Sequence, residues 1–329
     1  MATTAPNFVF GGGSITSDGG YTNVGAVKEL LDVLEREGIK QIDTAQLYGN
    51  GTSEELLGEA KAGSRFLVDT KHVGGWIPGN SSREQVVERG HESLRRLGVK
   101  KVNIFYIHAP DSKFPLGETL AGINDLYRAG TFDRFGLSNF TAAEVEEAIR
   151  IAKEKDFVVP SVYQGNYNAV ARRTETELFP VLRKHGMAFY AYSPMAGGFL
   201  TKTREQLSQS SGGEGRWSRE TAFGQLYNAL YNKPSLLEAL DIWNEISETS
   251  KIPKAELAYR WIAYHSHLDG KSGDAVVIGA SRITQLEQTL AGLRRGPLPE
   301  AAQKRIDDIW EMVKHDSVLD SYETLRPNN

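Results

Sequence analysis

The chain has no cysteine. That excludes disulfides, thiolate nucleophiles and cysteine-held zinc, and it suits a reducing compartment, so the cytoplasm is the expected location. It also lacks any apolar run of about 18 residues, so no membrane span is expected. The opening MATTAPNFVF has neither the basic start nor the long apolar core of a secretory signal. Charge is not one-sided: 38 Lys and Arg face 42 Asp and Glu, a net charge of −4, which gives no electrostatic case for nucleic acid as a partner. No HExxH-like spacing occurs. His265 and His267 read as a polar helix end, and no metal is expected. The one glycine cluster near an early strand, Gly11-Gly12-Gly13, lacks the GxGxxG spacing of a doubly wound dinucleotide fold.

What is present is regular. The apolar fraction of 40% over 329 residues is ample for a packed core. Short β-like runs at 8–10, 41–45, 66–71, 102–108, 134–139, 160–164, 187–193 and 274–280 alternate with helical patterns. The helices are read at 24–36, 54–60 (with Ser53 as N-cap), 82–97, 119–127, 141–155, 175–185, 236–248, 253–264, 284–293 and 300–314. Pro180 interrupts one of them. A Ser-, Gly- and charge-rich stretch, 202–233, reads as one long irregular loop, and a polar tail follows the last helix. The alternation predicts an α/β fold: a single domain over residues 1–329, built as a (β/α)8 TIM barrel with a long loop after strand 7 and an extra C-terminal helix.

Barrel enzymes place their chemistry at the carboxyl ends of the strands. Here those ends carry Asp43 (with Tyr48 just beyond), Lys71, His108, Ser138-Asn139, Gln164, Tyr192-Ser193 and Ser281-Arg282. Each has a bland reading: a turn cap, a solvated charge, a satisfied core histidine. Their shared rim favours a joint role. A phenol has a reference pKa of about 10 and needs a cation beside it to act as an acid near neutral pH. Lys71 can supply that cation, Asp43 can hold Lys71 charged, and His108 can orient a carbonyl oxygen. A general acid without a covalent nucleophile or a metal cluster suits hydride transfer from a nicotinamide.

The motifs IDTAQLYGNGTSEELLG, TK, FYIHAPD, GLSNF, VYQGNYNA, ETELFP, FYAYSPMAGGFLT and DAVVIGAS resemble, in order and over nearly the whole chain, the aldo-keto reductase superfamily. The likeness is strongest to its aflatoxin-aldehyde and succinic-semialdehyde reductase branch. The resemblance implies a NADPH-dependent carbonyl reductase with Asp43, Tyr48, Lys71 and His108 as catalytic tetrad. It implies that Asp43, Ser138, Asn139, Gln164 and Tyr192 hold the nicotinamide. Ser193, Pro194, Leu200 and Lys202 would follow the pyrophosphate, with Arg216 also on the cofactor. Gly279, Ser281, Arg282, Gln285 and Gln288 would meet the adenosine end. Tyr48, His108, Trp76, Trp217 and Tyr227 are expected around the substrate. The branch's arginine in the long loop is matched by Leu230, and its C-terminal arginine has no clear match. A bulkier, less acidic carbonyl compound is therefore expected over succinic semialdehyde. The branch also implies a homodimer. Two alternatives stay open: a biosynthetic reductase acting on an imine, enone or polyketide carbonyl, and a NADPH-binding regulatory subunit with little turnover.

Overall fold

The computed structural model describes residues 4–208 and 217–326. Strands β1 (Asn7–Gly11), β2 (Gln41–Asp43), β3 (Leu67–His72), β4 (Val102–Ile107), β5 (Phe132–Ser138), β6 (Val162–Asn166), β7 (Ala188–Tyr192) and β8 (Ala275–Ile278) pair in parallel with their chain neighbours. β8 closes on β1 to complete the barrel. The expected (β/α)8 architecture is what the chain adopts.

Strand alternation sorts the side chains. Val9, Ile104, Tyr106, Val162, Ala188, Tyr190, Ala275 and Val277 form the inner core of the barrel. Their outward neighbours, such as Phe10, Phe105, Phe135, Tyr163, Phe189, Val276 and Ile278, join the helices in a larger outer core. Gly136 is needed on β5 because a Cβ there would lie 2.2 Å from the ring of Tyr106.

The helices begin and end where their caps dictate. Val24–Arg36 starts at Asn23, whose side chain accepts from the Ala26 amide. Arg83–Leu97 carries a Ser82/Gln85 capping box and stops at Gly98, in the left-handed region with φ 64°. Ala142–Glu154 has the same box from Thr141 and Glu144. Pro180 does more than kink its helix: the segment divides into Thr174–Glu177 and Phe179–Lys184. The proline falls in the first turn of the second piece, where its missing N–H costs nothing.

Three expectations change. Ser53 is not the N-cap of its helix, which runs Thr52–Glu59 from Gly51 at φ 98°. The buried Ser53 hydroxyl instead joins Thr44 Oγ1 at 2.7 Å and donates to the Gly12 carbonyl, tying the helix to the ends of β1 and β2. The stretch 202–233 is not irregular throughout, since it forms the helices Arg204–Ser208 and Ala222–Tyr231, the second capped by Thr221. The C-terminal tail, finally, is packed rather than polar coil: Val318, Leu319, Asp320 and Tyr322 are all buried. No helix among the described residues is long and apolar enough to cross a membrane.

Candidate active site

β2 ends at Asp43, but the chain goes on pairing with β3: the Thr44 amide donates to the Asp69 carbonyl and the Gln46 amide to that of Lys71. This fixes Asp43 beside Lys71. A tight turn then brings Tyr48 back over the mouth, its amide donating to the Ala45 carbonyl. The turn requires Gly49, with φ 57°, because a Cβ there would meet Thr52 Oγ1 at 2.2 Å. His108 arrives from the end of β4, its amide donating to the His72 carbonyl.

Lys71 is fully buried and donates to Asp43 Oδ2 at 2.5 Å and to the Thr44 carbonyl at 2.8 Å. Burial alone would push its ammonium down. The Asp43 carboxylate and, after it, Tyr48 and Asp69 outweigh burial and hold it above its ordinary value. Its Nζ lies 5.1 Å from the centre of the Tyr48 ring. Tyr48, only half-buried, faces His108 edge-on, with ring centres 5.9 Å apart. Burial first, and then the Lys71 charge, holds the His108 imidazole well below the usual histidine range, so the ring is neutral near pH 7. Its Nδ1 is buried and has no hydrogen-bond partner among the described residues.

The structure thus brings Asp43, Tyr48, Lys71 and His108 into one cluster at the carboxyl ends of β2–β4. Trp76 joins them, its ring 5.9 Å from His108. Gln164 gives Nε2 to Asp43 Oδ1 at 2.9 Å, coupling β6 to the same pair. Asn139, left-handed at φ 59°, donates Nδ2 to the His108 carbonyl and to Ser138 Oγ, and its Oδ1 accepts from the Tyr192 hydroxyl. Ser193 and Ala196 also hold positive φ, at 54° and 52°. Side-chain-bearing residues in this region cluster at sites where the backbone must meet a ligand.

Family profiles and related chains identify what this rim belongs to. The profile of the Aldo/keto reductase family matches residues 7–311. The chain belongs to the aldo/keto reductase family. It is 40% identical over 290 residues to Oxidoreductase sirO of Leptosphaeria maculans, covering 88% of this chain and 87% of that one. It is 38% identical over 293 residues to human Aflatoxin B1 aldehyde reductase member 4, covering 86% and 88%. It is 33% identical over 325 residues to Aldo-keto reductase pigE of Monascus ruber, covering 93% and 94%. The protein is an oxidoreductase enzyme, and its family supports carbonyl reduction.

Within this aldo/keto reductase the other expected site residues fall into two groups. Ser281, Arg282 and Gln288 are exposed around the start of the helix Ile283–Leu293. Ser281 is held by Gln285, whose Oε1 accepts from both the Ser281 amide and hydroxyl. Arg282, the N-cap residue, has no ion-pair partner among the described residues. Gly279 is exposed beside them, and a Cβ there would meet nothing within 4 Å. Lys202 and Ser193 are half-buried in the turn after β7, whereas Pro194 and Leu200 are buried, so the backbone is what Leu200 can offer a ligand. Arg216 lies outside the described residues.

Trp217 and Tyr227 pack within the segment that follows β7. They stack on each other at 5.8 Å, Trp217 also packs on Phe199, and its Nε1 donates to the Gly197 carbonyl. Their apolar surface is used in holding the loop to the turn after β7, and Leu230 is buried with them.

The residues that sequence reasoning missed are in the tail. The Tyr322 ring meets Trp76 edge-on at 5.3 Å, and its hydroxyl donates to the Gly75 carbonyl. Ser321 bonds the Tyr192 hydroxyl. Arg326 donates to Asp320, Glu144 and the Asn139 carbonyl. The apolar residues in SVLDSYETLR were the available signal that this segment packs.

Proposed function

We propose that the protein reduces an aldehyde or ketone to an alcohol with NADPH, Tyr48 acting as the proton donor. The observation that carries this reading is the buried Lys71–Asp43 pair, 2.5 Å apart, beneath a half-buried phenol at the barrel mouth. A buried lysine without a counter-ion would lose its proton; Asp43 prevents that. The ammonium next to Tyr48 favours the phenolate that forms when the hydroxyl gives its proton to the carbonyl oxygen. Neutral His108 can donate an N–H hydrogen bond to that oxygen and orient it without surrendering a proton.

The donor set of the opposite rim fits a nicotinamide dinucleotide phosphate. Gln164 keeps a second N–H after serving Asp43, and Asn139 Oδ1 keeps a second lone pair after accepting from Tyr192, as a carboxamide requires. Arg282, at a helix N-terminus, suits a phosphate monoester. When bound, the cofactor supplies the hydride. The substrate is a carbonyl compound bulkier and less acidic than succinic semialdehyde: half-buried Trp76, backed by the buried Tyr322, offers aromatic surface, and the arginine the tail brings to the mouth is committed to Asp320 and Glu144.

The test is loss of NADPH absorbance over a panel of aldehydes, diones, quinones and semialdehydes, with Tyr48→Phe as the paired variant. The variant should bind NADPH normally and lose about 10²–10⁴-fold in kcat, the usual contribution of a positioned acid. Turnover retained in Tyr48→Phe would sink the role given to Tyr48.

A further inference from the structure

The tetrad accounts for Asp43 and Lys71 but not for Asp69, a third charged side chain inside the barrel. Asp69 lies two residues before Lys71 on β3, hence on the same inward face, and is in register with Asp43 of β2. It is fully buried. Its Oδ2 accepts from Gln41 Nε2 at 2.5 Å, and its Oδ1 from Asn103 Nδ2 at 2.8 Å and the Ile104 amide at 3.1 Å. Three neutral donors satisfy it, and no cation among the described residues touches it. Arg134, the nearby guanidinium, donates instead to the Ser161 carbonyl and hydroxyl.

The charged and titratable groups facing Asp69 are Asp43 from β2, Lys71 from β3, Tyr106 from β4, and Arg134 and Tyr190 from β5 and β7. Tyr106 is itself buried, with its ring 5.6 Å from Lys71 Nζ and its hydroxyl unpartnered among the described residues. In so dry an interior, charge on Asp69 reaches Lys71 with little screening.

We propose that Asp69 is a positioning residue for the proton transfer, a second counter-ion beneath Lys71 whose charge sets how strongly Lys71 draws the proton from Tyr48. The proposal rests on Tyr48 being the acid. With Asp43 and Asp69 both ionised, two carboxylates share one ammonium, and a third anion at Tyr48 is disfavoured. With Asp69 neutral, Lys71 and Asp43 balance, and the phenolate forms more readily. Asp69 neither gives nor takes the transferred proton. Burial, and then the charge of Asp43, lift its carboxyl to about 7, so its charge changes near neutral pH.

The experiment is the pH dependence of kcat/KM for carbonyl reduction in wild type and Asp69→Asn. The substitution is isosteric, and a flipped Gln41 amide can accept from the new NH2. The alkaline limb should move to lower pH by on the order of one pH unit, as expected for one charge removed about two strand residues away at an effective dielectric of about 20. A ligand-free readout accompanies it. A carboxyl raised to about 7 in the fold from 3.8 makes stability rise as pH falls through that window, and Asp69→Asn should lose this one-proton dependence. Gln41→Leu, which removes a donor to the carboxylate, should move the alkaline limb the same way by less. A limb at the wild-type position in whichever variant folds overturns the proposal while leaving the role of Tyr48 intact, as would an unchanged stability profile in Asp69→Asn. Turnover retained in Tyr48→Phe overturns both.

Discussion

The two sides of the barrel mouth differ in what completes them. On the β2–β4 side, Asp43, Lys71 and His108 are buried, and Asp43 and Lys71 are paired with each other and with protein groups around them. Across the mouth, around the turn after β7 and the helix after β8, Ser281, Arg282 and Gln288 stand in solvent. The first side is pre-organised by the fold, so its chemistry requires no ligand to assemble it. The second would be completed by the cofactor proposed above. Changes on the first side should therefore damage stability and turnover together, while changes on the second should damage binding alone.

The largest expected effect tests the first half of that statement. Lys71→Met leaves Asp43 as a buried, unpaired carboxylate, and it should cost about 3–5 kcal/mol of unfolding free energy as well as measurable turnover. Chemical denaturation monitored beside the NADPH assay checks both. If Lys71→Met were fully stable, the pair would not be the structural keystone of that side.

His72, on the outer face of β3, gives a pH signature of the same burial. Burial, and then the Arg89 charge, hold its imidazole down to about 4, with Nε2 against Ser81 Oγ. The unfolded chain takes up the proton near pH 6.5, while the fold refuses it until about 4, so stability is full above that window and falls as pH drops through it. Relative to His72→Asn, the wild type should lose about 1.4 kcal/mol per pH unit there. Parallel stability curves for the two proteins would show that His72 titrates normally.

Arg282→Gln tests the opposite side. Removing one charge-assisted phosphate contact should weaken NADPH binding about ten- to a hundredfold and leave NADH binding and thermal stability unchanged. Fluorescence titration separates the two cofactors, and equal weakening of both would place Arg282 away from the 2′-phosphate. The smallest effect is expected at Thr221, whose hydroxyl caps Ala222–Tyr231 by accepting from the Gly224 amide. Thr221→Ala should cost about 1 kcal/mol or less, felt as faster hydrogen exchange in that helix and not in β2–β4.

Both sides were legible in the sequence to different depths. The strand-end residues could be read because each closes an apolar run, and a parallel barrel sends all such ends to one rim. Ser53 suits an N-cap by type, yet the left-handed Gly51 starts the helix two residues earlier and the Ser53 hydroxyl is drawn to Thr44. Trp217 reads as an aromatic wall for the substrate, and Tyr227 matches the tyrosine by which the resembling branch contacts acidic substrates. Their use against each other depends on how Ala222–Tyr231 docks.

The order of the eight strands, and with it the barrel, was determined by the sequence alone, because apolar periodicity and capping residues act over a few neighbours. So were the strand-end groups at the rim, though not the tail residues Ser321, Tyr322 and Arg326 that join them. Tertiary structure alone decided which of them share a proton or a charge. That Gln164 serves Asp43, that Arg326 reaches Glu144, and that Asp69 is met by three neutral donors from neighbouring strands all depend on contacts between residues far apart in the chain. Electrostatics in a dry interior are set by distances of a few ångströms, and no local pattern in the sequence encodes those.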